Sequence, residues 1–193
     1  ASIARRLSDI GNVITAAAER RASPGRRRIA VYSACIGGYD SLVPPTKWND
    51  RFDYFVFVND AVKDAGGLTV RPATFLHQDP TRTARYVKTH PHVLLGDYDV
   101  AIWVDSNLVL LDDLDATVDA FIASGRPVAG VPHQHRSSLS AEFAACIERA
   151  KDDPEVIERQ PGAYRSIGFE STDLIETGWM MFNLHDERAL AFL

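Results

Sequence analysis

Chemistry in this 193-residue chain is concentrated where apolar runs give way to polar residues. The run Ala101-Ile102-Trp103-Val104 ends in Asp105-Ser106-Asn107. On an extended chain, residues two apart project to the same side, so Asp105 and Asn107 would present a carboxylate and an amide oxygen together. That pair suits magnesium or manganese, which takes few protein ligands and completes its shell with water and phosphate. A departing diphosphate needs such charge neutralisation. The competing reading of Asp105 and Asn107 is an ordinary Asx turn.

Five further groups carry comparable chemistry. Arg82, Arg85 and Lys88 recur at three-residue spacing on a helical segment, which gives a cationic stripe able to hold a pyrophosphate. Gly37-Gly38-Tyr39-Asp40 follows an apolar run: the glycines admit a close backbone approach and Tyr39 offers a ring for a base. Asn59 and Asp60 follow another such run and suit a base edge or a ribose. His133, His135 and Arg136 cluster after a fourth, where with no third His or Cys nearby they favour sugar hydroxyls over zinc. Glu170, Asp173 and Glu176 crowd the approach to Gly178-Trp179, and a carboxylate there, Asp173 or Glu176, has the chemistry of a general base toward an acceptor hydroxyl.

The elements that must position these groups follow from periodicity. Short apolar runs over 29–36, 54–58, 100–104, 127–131 and 179–184 predict buried strands. Helices are expected from Asp79-Pro80 to His90-Pro91, from about Asp113 to Gly125, around Leu139, Phe143 and Ile147, and after Asp186. Strands alternating with helices predict an α/β fold of Rossmann-like type, an open and mostly parallel sheet covered on both faces. In such sheets ligands collect at the carboxyl ends of the strands, where the polar clusters fall. Residues 1–28 read as an N-terminal amphipathic helix and linker, from the spacing of Ile3, Leu7, Ile10 and Ile14. Residues 29–193 read as one domain, expected to continue past Leu193.

Composition narrows the function classes. With 46% hydrophobic residues the chain reads as globular rather than disordered, and a net charge of −5 gives no overall cationic field for nucleic acid. No apolar run approaches the length of a membrane span. Cys35 and Cys146 lack metal or redox spacing, so a reducing, cytoplasmic setting is expected. Gly-x-Ser-x-Gly and His-x-x-x-His patterns are missing, which disfavours a hydrolase.

From about Val31 to His185 the sequence resembles a glycosyltransferase-like family related to plant mucilage and pectin-type transferases. The resemblance rests on Tyr32-Ser33-Ala34-Cys35-Ile36-Gly37-Gly38-Tyr39-Asp40, on Trp103-Val104-Asp105-Ser106-Asn107, and on a His-x-x-Arg followed by Glu that fits His133, Arg136 and Glu142. It implies a GT-A fold, a nucleoside diphosphate sugar donor (a UDP-sugar is favoured) and a glycan acceptor. Glu142 then joins His133, His135 and Arg136 as acceptor or sugar contacts, and His185, beyond Glu176 and Gly178, joins Asp105 and Asn107 as a metal ligand. Such transferases commonly carry Asp-x-Asp, and position 107 here is Asn. The alternatives are a nucleotide- or glycan-binding module without turnover and a ceramide-type lipid hydrolase.

Overall fold

The apolar runs form the centre of one sheet. A computed structural model describes residues 27–38, 41–60, 64–169, 171 and 173–193. The leader helix, Tyr39, Asp40 and Glu170 lie outside the described residues. In chain order the elements are β1 (Ile29–Cys35), β2 (Phe52–Val58), β3 (Thr69–Pro72), α1 (Pro80–Thr89), α2 (Pro91–Leu94), β4 (Val100–Val104), α3 (Asp115–Ser124), β5 (Val128–Pro132), α4 (Leu139–Glu148), α5 (Pro154–Ser166), β6 (Ile175–Asn183) and α6 (Glu187–Phe192).

The sheet has the order β3-β2-β1-β4-β6-β5. Strands β1 to β4 pair in parallel, and β6 lies antiparallel between β4 and β5. The mostly parallel α/β architecture expected from the sequence is therefore present, with one reversed strand near the edge. Chain order runs outward from β1 toward β3 and from β4 the other way, so the topological switch point lies between β1 and β4.

Both faces of the central strands are covered, which is why they read as unbroken apolar runs. On one face Tyr32, Phe57, Trp103 and Phe182 pack with Val87 of α1 and with Leu95 and Tyr98. On the other, Val31, Tyr54, Ile102 and Met181 pack with Val118 and Phe121 of α3. Each large apolar side chain so buried contributes roughly 1.5–3 kcal/mol. Helix α1 begins where sequence signals place it: the Asp79 carboxylate accepts from the Thr81 amide at 2.9 Å, and Pro80 occupies the first turn.

Helix α4 differs from its expected role. It forms, but none of its residues is fully buried, because it packs on α5 rather than on the sheet; Phe143 stacks on Tyr164 at 6.2 Å. Strand β6 also starts earlier than its apolar run. Its first residues pair with the end of β5, Glu176 opposite Val131, past a register irregularity at Gly130/Val131. That extension carries Glu176 and Thr177 beyond the end of β4 and across the carboxyl edge of the sheet.

Candidate functional site

Asp105 leaves β4 at the switch point with its backbone held: its amide donates to the Gly178 carbonyl at 2.8 Å. Its side-chain Oδ1 accepts from the indole Nε1–H of Trp103 at 2.6 Å and from the Lys88 ammonium at 3.3 Å. Gly178 provides room for this carboxylate, since a Cβ there would stand 3.3 Å from Asp105 Oδ2 and 3.0 Å from Leu108 Cδ1. Lys88 also donates to Thr177 Oγ1 at 3.1 Å and lies 5.4 Å above the Trp103 ring. The carbonyl of Lys88 accepts from the buried Tyr32 hydroxyl at 2.8 Å, which ties the last turn of α1 to β1. Burial pushes the Lys88 ammonium below the usual lysine range; the Asp105 carboxylate opposes that shift and the neighbouring Arg85 guanidinium adds to it.

The expected cationic stripe is split. Each three-residue step along a helix turns the facing direction by about 60°, so residues 82, 85 and 88 fan around α1. Lys88 turns inward to Asp105, and Arg85 stands beside it electrostatically. Arg82 instead sits 3.8 Å from Asp79 and opens with Arg85 onto a groove of about 310 Å³ on the outer side of the helix. Rings of Phe75, Tyr86 and His90 stack along that groove at 4.7 and 3.9 Å.

At the end of β1, Gly37 adopts φ +70° and packs against the first turn of α1, where a Cβ would lie 3.0 Å from Pro80 Cβ. Its amide donates to Asn59 Oδ1 at 3.0 Å, which joins the loops after β1 and β2. Gly38 continues the turn in the left-handed region, and Asp60 is exposed at the end of β2.

A second group sits across Thr177. His133 Nδ1 accepts from the backbone amides of His135 and Arg136 at 3.1 and 3.0 Å. His133 Nε2 lies 2.8 Å from Arg136 Nη2, 3.6 Å from Glu142 and 4.0 Å from Glu176, so N–H donors face both ring nitrogens. Arg136 Nε donates to the same Glu142 carboxylate, so Glu142 holds the imidazole and the guanidinium together. His133, Glu142, Glu176 and Thr177 border a cavity of about 360 Å³, within the roughly 300–1,000 Å³ range of small-ligand sites. His135 is exposed beside them. Asp173 is exposed too, and it engages the segment through its backbone carbonyl, which accepts from Ser171.

The structure thus joins Asp105, Lys88, Thr177, Glu176, His133, Glu142 and Arg136 along one edge. It corrects the expected metal set in two ways. First, Asp105 and Asn107 do not share a side of an extended chain: residues 105–108 form a turn closed by Leu108 N–H on the Asp105 carbonyl at 2.9 Å, with Asn107 exposed. Second, His185 lies at the opposite edge, 3.3 Å from Asp99. Six residues of strand separate Asp99 from Asp105, about 20 Å.

Among the described residues no three His, Cys, Asp or Glu come together as a metal-ligand set. The donor chemistry at Asp105 does not fit a protein-held divalent cation. Asp105 is a single carboxylate whose Oδ1 is already shared by an ammonium and an indole, neither Asn107 nor His185 joins it as a second ligand, and the Lys88 charge repels a cation placed beside it.

Sequence reasoning missed Thr177 and the anchoring role of Trp103. A neutral threonine between Glu176 and Gly178 carries no signal of its own, whereas Trp103 lies two residues before Asp105, a spacing that places both on one side of the strand end. No described helix is long and apolar enough to cross a membrane. No family model, curated protein or solved structure matches the chain.

Proposed function

We propose that the chain is the donor-binding part of a GT-A-type glycosyltransferase that moves a sugar from a nucleoside diphosphate, a UDP-sugar by preference, to a hydroxyl of a glycan acceptor. The observation that carries this reading is the half-buried Lys88–Asp105 pair at the switch point, 3.3 Å apart, whose ammonium also donates to Thr177, a residue that borders the cavity of the second group. A cationic centre beside an acid–base cluster is what group transfer with an anionic leaving group requires. The strand order, with β6 reversed beside β4, supports the GT-A assignment.

In the reaction, the acceptor oxygen bonds to the anomeric carbon while the bond from that carbon to the diphosphate oxygen breaks. The electron pair leaves with the diphosphate, toward Lys88 and Arg85. The acceptor proton passes to Glu176, with His133, Glu142 and Arg136 ordering the sugar hydroxyls. Gly37, Gly38 and Asp60, at the ends of β1 and β2, stand where the nucleoside would lie.

Calorimetric titration with UDP and GDP, followed by UDP release from UDP-sugars in the presence of glycan acceptors, tests the proposal. Glu176→Gln should lower turnover by about a hundredfold or more and leave UDP affinity unchanged. Absence of nucleotide binding by the unaltered protein would reject the proposal, and binding without turnover would favour a non-catalytic module.

A further inference from the structure

The site just described holds a fixed positive charge where donor chemistry calls for one. Lys88 is restrained from four sides: Asp105 Oδ1 at 3.3 Å, Thr177 Oγ1 at 3.1 Å, the Trp103 ring at 5.4 Å from Nζ, and the Tyr32 hydroxyl on its own carbonyl at 2.8 Å. Its side chain is 19% exposed, so it is neither sealed in the core nor loose in solvent. An ammonium has three N–H donors. Asp105 and Thr177 take two, which leaves one for a phosphate oxygen. Asp105 Oδ1 is committed to Lys88 and Trp103, and Asn107 sits exposed in a turn rather than in the extended geometry that would supply a second ligand.

We propose that Lys88 stands in for the divalent cation: its ammonium neutralises the bound diphosphate, and donor binding proceeds without metal. This inference rests on the donor-site reading above. Asp105 is then a positioning residue that orients the ammonium, and Arg85, within electrostatic reach of Lys88, raises the positive potential there. A preorganised cation of this kind meets the developing charge without reorganising during the reaction.

The experiment is calorimetric titration of UDP into the intact chain in the presence of EDTA, and again in the presence of manganese, for the unaltered protein, Lys88→Met and Lys88→Arg. The expected result is the same affinity in EDTA and in manganese, a loss of about thirtyfold or more for Lys88→Met, and retention of most of the affinity by Lys88→Arg. Melting curves establish that each variant is folded; if Lys88→Met does not fold, the EDTA comparison and Lys88→Arg decide the matter. UDP binding that disappears in EDTA and returns with manganese would overturn the inference and leave the donor site standing. So would full affinity in folded Lys88→Met. No UDP binding in either buffer would overturn both.

Discussion

Replacing Asp105 tests the constellation at the end of β4 through stability alone, with no ligand required. Asp105→Ala removes the acceptor for two donors of different burial. The ion pair with Lys88 is partly solvated, since the Asp105 side chain is 39% exposed, so its loss is discounted to about 1 kcal/mol. The Trp103 indole N–H belongs to a residue only 4% exposed, and stranding a buried donor costs about 1–2 kcal/mol. The expected destabilisation is therefore about 2–3 kcal/mol for Asp105→Ala, and about 1 kcal/mol for Asp105→Asn, whose amide oxygen still accepts from both donors. Urea unfolding at neutral pH, with equal slopes for all three proteins, gives the comparison. The reasoning fails if Asp105→Ala lies within about 0.5 kcal/mol of the parent, or if Asn is as costly as Ala.

Two other expectations follow from the same edge of the sheet. Gly37→Ala places a Cβ at φ +70° and 3.0 Å from Pro80 Cβ; it should destabilise the fold by about 1–2 kcal/mol, as left-handed backbone costs a residue with a side chain, and thermal unfolding would show it as a lowered midpoint. His185→Ala should leave UDP affinity unchanged, because His185 pairs with Asp99 at the far edge; a clear loss of affinity by calorimetry would return His185 to the site.

Much of the frame was legible because buried parallel strands must be apolar on both faces. The runs at β1, β2 and β4 announced themselves, and the Asp79-Pro80 start of α1 followed from capping chemistry. Direction is another matter: the apolar run of β6 suits a central strand of either sense, so its reversal beside β4 left no trace in periodicity. Strand β3, Thr-Val-Arg-Pro, is short and mostly exposed, and α5 carries Pro161 and Gly162 inside it, so neither presented a recognisable pattern. At the site, Asp105 and Lys88 were found from charge at a strand end and on a helix. The pairing between them was not, because it depends on how far α1 is rotated over the sheet. That rotation also sends Arg82 outward. The position of His185 was misjudged because β6 runs back toward the amino end of β4, which carries everything after Asn183 away from Asp105.

The Trp103 indole proton is the most direct reporter, since it points at Asp105 Oδ1 at 2.6 Å. In a spectrum of the nitrogen-15-labelled protein titrated with UDP, the Trp103 indole resonance should move in proportion to nucleotide bound, while that of Trp48, packed on Tyr54, stays in place. An unmoved Trp103 resonance at saturating UDP would contradict a diphosphate site at Asp105 and Lys88.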